Sequence, residues 1–149
     1  VTGLHLASLT AADLPDVGAL FERRTGRPAD LDLLGAWIAD APSAGARLDA
    51  ELVGYAICKR FAPDLVELAS MLVAAGARRR GIGTALLRSL HEAVASAGVA
   101  GVVVVTSDGY EVQEERTDAV AFYRSVGYEV LLATAATHVL GRSVGEHLP

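Results

Sequence analysis

An α/β fold with a central mixed, mostly antiparallel sheet flanked by helices is what three observations predict. Apolar segments switch repeatedly between the two-residue period of strands and the 3.6-residue period of helices. The longest apolar run, GVAGVVVV (98–105), has the length of a strand buried on both faces and falls well short of the roughly 20 residues a bilayer needs. Glycine follows two of the helical segments, where a left-handed residue closes a helix. At 149 residues the chain is long enough for one sizeable core, and residues 1–149 are read as a single domain.

The elements follow in order. LHLASL (4–9) alternates as a strand does, and Thr10 then offers an N-cap to AADLPDVGALFERR. ADLDLLGAWIAD (29–40) sets Leu31, Leu34, Trp37 and Ile38 at helical spacing, and APSAG breaks it. Trp37 in that pattern reads as core rather than as a pocket wall. ARLDA and LVGYAICKRF are two short strands around a tight turn at 49–51, and LVELASMLV completes an antiparallel meander. A helix over about 83–97 carries the stripe Leu86, Leu90, Val94 and is closed by Gly98. VVVV (102–105) is a strand, SDGYEVQEERT a polar connection, DAVAFYRSV a helix ended by Gly127, and YEVLLAT and THVLGRS are the last strands. The predicted order is β-α-α-β-β-β-α-β-α-β-β.

Composition narrows the function classes. The 52% apolar content and mean hydropathy of +0.36 prompt a search for a membrane span, and no run is long enough. The start VTGLHLASLT lacks a basic region and a continuous apolar stretch, so no secretory leader is expected. The one cysteine, Cys58, sits in the alternating YAICK and reads as a core thiol of a cytoplasmic protein. A net charge of −5 argues against a general nucleic-acid binder. His5, His91, His138 and His147 are scattered without a ligand pattern, so no metal is expected.

Against this acidic background, three consecutive arginines precede a glycine-rich helix start in ARRRGIGTALL (77–87). A Walker loop fails here, because Ile82 and Gly83 stand where lysine and a hydroxyl residue would grip phosphates. A dinucleotide fingerprint fails at Leu86, where its third glycine belongs. What remains is the physics both share: unpaired N–H groups, the positive end of a helix, and glycines that admit an anion to the backbone. The loop alone fits a pyrophosphate site and an ordinary helix entry equally well.

ELASMLVAAGARRRGIG (67–83) resembles the phosphate loop of the GNAT superfamily of acyl-CoA-dependent N-acyltransferases, R/Q-x-x-G-x-G/A between a strand and a helix. Arg78, Gly81 and Gly83 match in register, while Ala75 and Arg79 replace a common proline and glycine. AVAFYRSVGYE (119–129) resembles the family's second signature, A-x-x-x-Y-x-x-x-G-F/Y, and the element order is also the family's. The resemblance implies acetyl-CoA, or another acyl-coenzyme A, as donor. Its pyrophosphate would lie on backbone amides from Arg79 through Arg80, Gly81, Ile82 and Gly83 to Thr84, with Arg78 as the motif's arginine. Arg79 and Arg80 serve either as further phosphate charges or as solvated side chains. Pantetheine would run between strands ending near Val73 and Ser107, pairing with the backbone at Leu72 and Val73 like an added strand.

Amide formation needs a neutral amine, a polarised carbonyl and a protonated leaving thiolate. Glu67 is a candidate base; it lies six residues before Val73, and even spacing on a strand is expected to set both on one face. It reads otherwise as a strand glutamate that faces solvent or pairs with an arginine. Tyr123 reads by helical spacing as a core tyrosine with its hydroxyl turned out, and the resemblance implies that it is the general acid. A backbone N–H near Val73 would polarise the carbonyl. Arg116 stands where many members have asparagine, and its partner is left open.

Toward the acceptor, Asp108, Glu111, Glu114, Glu115 and Asp118 outnumber Arg116. They form either a negative rim that concentrates a cationic amine or an ordinary solvated loop. Asp108, Tyr110 and Arg116 are the candidate acceptor contacts. The expected function is N-acetyl transfer from acetyl-CoA to a primary amine of a small molecule or peptide. The alternatives are a non-catalytic acyl-CoA-binding regulatory module and a toxin-like aminoacyl-tRNA acetyltransferase, the latter disfavoured by the net charge. The resemblance also makes a homodimer plausible.

Overall fold

The computed structural model describes residues 2–77, 80–107 and 119–144. Seven strands form one sheet in the order β1-β2-β3-β4-β5-β7-β6, with β1 Leu4–Ala7, β2 Ser43–Leu48, β3 Glu51–Ala62, β4 Leu65–Val73, β5 Gly101–Ser107, β6 Glu129–Ala133 and β7 Thr137–Ser143. Every neighbouring pair is antiparallel except β4 and β5. Helices α1 (Leu14–Thr25), α2 (Leu31–Asp40), α3 (Ile82–Ser96) and α4 (Ala119–Ser125) complete the order that the sequence predicts.

Local chemistry sets the element ends. Thr10 is followed by a short 3-10 turn, Ala11–Asp13, and the Asp13 carboxylate accepts the Thr10 N–H at 2.8 Å before α1 begins. Gly26, left-handed at φ 70°, closes α1 by donating to Glu22 O at 2.9 Å. Asp30 caps α2 by accepting the Leu33 N–H at 3.0 Å. The β2–β3 turn is made by Asp49 and Ala50, both at positive φ, which matches the right-handed twist of a two-residue hairpin. Arg47 ties that hairpin down, donating to Ala50 O and bridging Asp13 and Asp16 at 2.7 and 2.9 Å.

Two apolar clusters lie on opposite faces of the sheet. On one face α3 turns Ile82, Leu86, Leu87, Leu90 and Val94 onto a floor of small residues, including Ala44, Ala46 and Ala56. Gly54 belongs to that floor: a Cβ there would lie 2.8 Å from the Leu86 side chain, so the glycine sets how closely α3 approaches. Burying each of these leucines contributes about 1.5–3 kcal/mol. On the other face α1 and α2 cover Leu52, Tyr55 and Ile57 with Val17, Leu20 and Leu34, and Trp37 packs at the margin as core. Cys58 is fully buried, and burial, reinforced by the Glu67 charge, pushes its thiol up to about 12, which makes it an inert core residue.

Strand β4 carries a β-bulge. Ile57 pairs with Ser70 and Cys58 with Leu68, so Ala69 is the extra residue. Before it, Val66 and Leu68 face α3; after it, Val73 does, while Leu72 packs on the α1/α2 side. The expectation that Glu67 and Val73 share a face is therefore corrected. Even spacing holds only in a strand without an inserted residue, and Glu67 falls on the α1/α2 face.

Candidate active site

The parallel pairing of β4 with β5 covers only Leu65, Val66 and Glu67 against Gly101, Val102 and Val103. Beyond it the strands part. β4 runs on to Val73 with β3 alone beside it, and β5 runs on to Ser107 paired with β7 on its other edge. The backbone edge of β4 from Leu68 to Val73 thus borders an opening into which an extended chain could add like a strand. Glu67 stands at the apex of this opening, and Leu72, Val73 and the Ser107 backbone flank it further out.

At the wide end, Gly81 adopts the left-handed conformation, φ 78° and ψ 8°, and begins α3. The first intrahelical bond is Ala85 N–H to Gly81 O at 3.0 Å, so the amides of Ile82, Gly83 and Thr84 precede any helical partner. A left-handed start is strained for a side-chain-bearing residue by about 1–2 kcal/mol, which accounts for the glycine. The Ile82 side chain is core, 1% exposed, so only its N–H faces outward chemistry. At Gly83 a Cβ would approach Phe122 Cζ at 3.3 Å and Met71 Cε at 3.7 Å, so the missing side chain admits the α4 ring to the loop. Arg80 is exposed. Arg78 and Arg79 lie outside the described residues, as do Asp108, Tyr110 and Arg116 expected near the acceptor.

Tyr123 packs on the α3 face, in edge contact with the rings of Phe122 (5.3 Å, 61°) and Tyr128 (5.4 Å, 62°). Burial pushes its phenol up to about 12. The hydroxyl makes no hydrogen bond to another described residue, which leaves its proton available to a ligand. Glu67, on the opposite face, lies 3.8 Å from Lys59 Nζ, and that ammonium also sits 5.7 Å above the Trp37 ring. The partner of Glu67 is thus a lysine rather than the arginine of the alternative reading. With side-chain exposures of 43% and 22%, the pair is open to solvent and contributes little to stability.

The sequence reading passed over one polar pair. His91 Nε2 and Tyr128 Oη lie 2.8 Å apart, both buried, within the α3-side cluster. The signal was present in the helical spacing: His91 follows Leu87 by four residues and precedes Val94 by three, which sets it in the buried stripe. Among the described residues no group of three His, Cys, Asp or Glu side chains is arranged to hold a metal, and no helix is long and apolar enough to cross a membrane.

Comparisons with known proteins meet this geometry. The profile of the acetyltransferase (GNAT) family matches residues 13–128, from the residue before α1 to Tyr128. No curated protein matches the sequence significantly. Among solved structures the chain is similar to the ribosomal-protein-S18-alanine N-acetyltransferase of Escherichia coli, with a TM-score of 0.77 and 19% identity over 98% of this chain and 99% of that one. It is similar to a phosphinothricin acetyltransferase of Sinorhizobium meliloti in complex with AcCoA, with a TM-score of 0.75 and 20% identity over 97% and 90%. It is also similar to the PaiA N-acetyltransferase of Thermoplasma acidophilum in complex with coenzyme A, with a TM-score of 0.74 and 15% identity over 94% and 98%. Likeness at such identities speaks to the fold, whereas the profile spans both signature segments and the strand between them. On that match the chain belongs to the acetyltransferase (GNAT) family.

Proposed function

We propose that residues 1–149 form one acyltransferase domain that moves an acetyl group from acetyl-CoA to a primary amine of a small molecule or peptide, both bound at once. The observation that carries this reading is the parting of β4 from β5 beyond Glu67, with the free amides of Ile82, Gly83 and Thr84 at its wide end. Those amides and the helix dipole suit a pyrophosphate, and the open edge at Leu72 and Val73 suits an extended amide-bearing arm. The donor supplies a thioester carbonyl activated toward attack.

The chain's own groups handle the protons. Glu67, on the α1/α2 face at the apex, takes the proton from the attacking ammonium, directly or through a water, so that the nitrogen can bond to the carbonyl carbon. As the C–N bond forms and the C–S bond breaks, Tyr123 gives its proton to the departing sulfur from the α3 face; the nitrogen sheds its second proton, which restores the phenol by way of solvent, and Glu67 releases the first to solvent. A free thiol near about 8.5 would be too weak a base to draw a proton from a phenol at about 12. Desolvation by the bound donor would narrow that gap, because burial disfavours the charged form of a thiol as it does that of a phenol. Base and acid thus act from opposite faces of the sheet.

A homodimer in the cytoplasm fits the same reading. Strand β6 forms a sheet edge with Val130, Leu131 and Leu132 exposed at 41%, 61% and 60%, an apolar edge that a second copy would cover. Light scattering at micromolar protein would give twice the mass of one chain, and a monomer would remove the dimer.

The test of function is calorimetric titration with acetyl-CoA, desulfo-CoA and adenosine diphosphate, followed by turnover on a panel of polyamines, aminoglycosides and short peptides. Saturable micromolar binding that Gly81→Val abolishes, with thiol release on adding one class of amine, is expected. No binding at millimolar acetyl-CoA would overturn the reading, and binding without turnover on any amine would leave a regulatory module.

A further inference from the structure

We infer that His91 and Tyr128 are positioning residues for the Tyr123 phenol: the buried His91–Tyr128 hydrogen bond fixes the ring that in turn sets the orientation of Tyr123. The inference rests on the proposed acid role of Tyr123.

The geometry forms a chain of three side chains. His91, 8% exposed on α3, and Tyr128, 2% exposed after Gly127, meet through Nε2 and Oη at 2.8 Å, with ring centroids 5.4 Å apart and planes at 45°. Tyr128 then meets Tyr123 twice. Its ring stands edge-on to the Tyr123 ring at 5.4 Å and 62°, and its N–H donates to Tyr123 O at 3.1 Å. Phe122 makes a second edge contact with that ring, at 5.3 Å and 61°. Among the described residues the Tyr123 hydroxyl has no hydrogen-bond partner, so the packing of its ring helps set where its proton points.

Packing needs do not explain the polar pair. Tyr128 lies among Val94, Val104 and Leu140 in the α3-side cluster, where phenylalanine opposite leucine would bury the same area without desolvating a hydroxyl and an imidazole. A hydrogen bond supplies what apolar contacts lack, a direction: it selects one tilt of the Tyr128 ring and hence one edge for Tyr123 to rest on. Burial, helped by the Arg142 charge, lowers His91 to about 4, so the imidazole is neutral near pH 7 and the bond persists through the working range.

The test combines a spectroscopic readout with kinetics. The chain has four tyrosines, so carbon-13 labelling of tyrosine rings gives few signals, and loss of a signal in Tyr123→Phe identifies Tyr123. His91→Leu should move the Tyr123 ring resonance toward its free-peptide value, and His91→Gln, whose amide reaches a similar point, should restore most of it. With acetyl-CoA and the best amine of the panel, His91→Leu should lower kcat about tenfold with KM for acetyl-CoA unchanged, and His91→Gln should recover at least half. Tyr128→Phe keeps the ring without its anchor and should fall between. An unmoved Tyr123 resonance in a folded His91→Leu protein overturns the inference, as does equal loss of kcat in the leucine and glutamine variants. Should His91→Leu prove too unstable, Tyr128→Phe carries the same readouts, and an unmoved Tyr123 resonance there overturns the inference equally. If Tyr123→Phe leaves kcat intact, the acid assignment fails instead, and the ring measurement still decides whether the pair orients Tyr123.

Discussion

The two faces of the sheet are built differently. The α3 face is thick and dry: Leu86, Leu87, Leu90, Val102 and Leu140 are each fully buried, and the polar groups within it, His91 and Tyr128, are paired. The α1/α2 face is thinner, with Leu31 and Leu33 each 43% exposed and with ion pairs open to water at Lys59–Glu67 and Arg47–Asp16. A thioester donor needs water excluded and a protonated acid, and the first face suits it. On the proposed reading an amine arriving from solvent would shed its proton to Glu67, 22% exposed on the second face. The difference teaches that the two faces carry different loads: the α3 face holds the larger fully buried core, and the α1/α2 face holds the ion pairs that reach solvent.

The largest effect expected across this divide is at Tyr123. Tyr123→Phe keeps the ring packing and should lower kcat about 100-fold, or ~2.7 kcal/mol of transition-state stabilisation. A loss under about threefold would show that the dry face does not supply the proton. With the phenol near 12, no alkaline fall in kcat below about pH 11 should trace to Tyr123, and a wild-type limb near 10 that vanishes in the phenylalanine variant would contradict this. Of similar size is Leu90→Ala, which should cost about 2–5 kcal/mol by leaving a cavity beneath α3, read by urea unfolding. Truncating the thinner face at Leu33 should cost less than about 1 kcal/mol, and equal costs would erase the contrast.

Glu67→Gln should lower turnover about tenfold, and unchanged turnover would remove Glu67 from the chemistry. His91 sharpens the comparison through pH. Its folded value, about 4, lies below the unfolded 6.5, so its contribution is complete above pH 6.5 and fades as pH falls through 4. Thermal unfolding should therefore weaken over that window by roughly 1–2 kcal/mol, after allowing for screening, and the weakening should be absent in His91→Leu. Smallest is Lys59→Met, which should change stability by well under 1 kcal/mol, because the ion pair it removes is open to solvent.

Element order and helix ends were legible because each rests on local chemistry. Gly98 and Gly127 take positive φ where the sequence suggested helix ends, and the stripe Leu86, Leu90, Val94 faces the core as its spacing required. The glycine that opens α3 was legible for the same reason, since Gly81 carries its left-handed φ within its own turn. Relations that depend on pairing were not legible. The face of Glu67 turns on one inserted residue whose evidence lies in the partner strand, and Lys59 reaches Glu67 only through that register. The His91–Tyr128 bond joins residues 37 apart, and no local period announces it.

The bulge at Ala69 has a wider consequence, best put as a change of parity. Ahead of it odd-numbered positions of β4 look toward α1 and α2; behind it even-numbered ones do. A motif counted across this strand thus holds its spelling while the direction of its side chains reverses. A relative with the same letters and no inserted residue would turn its glutamate toward the α3 face.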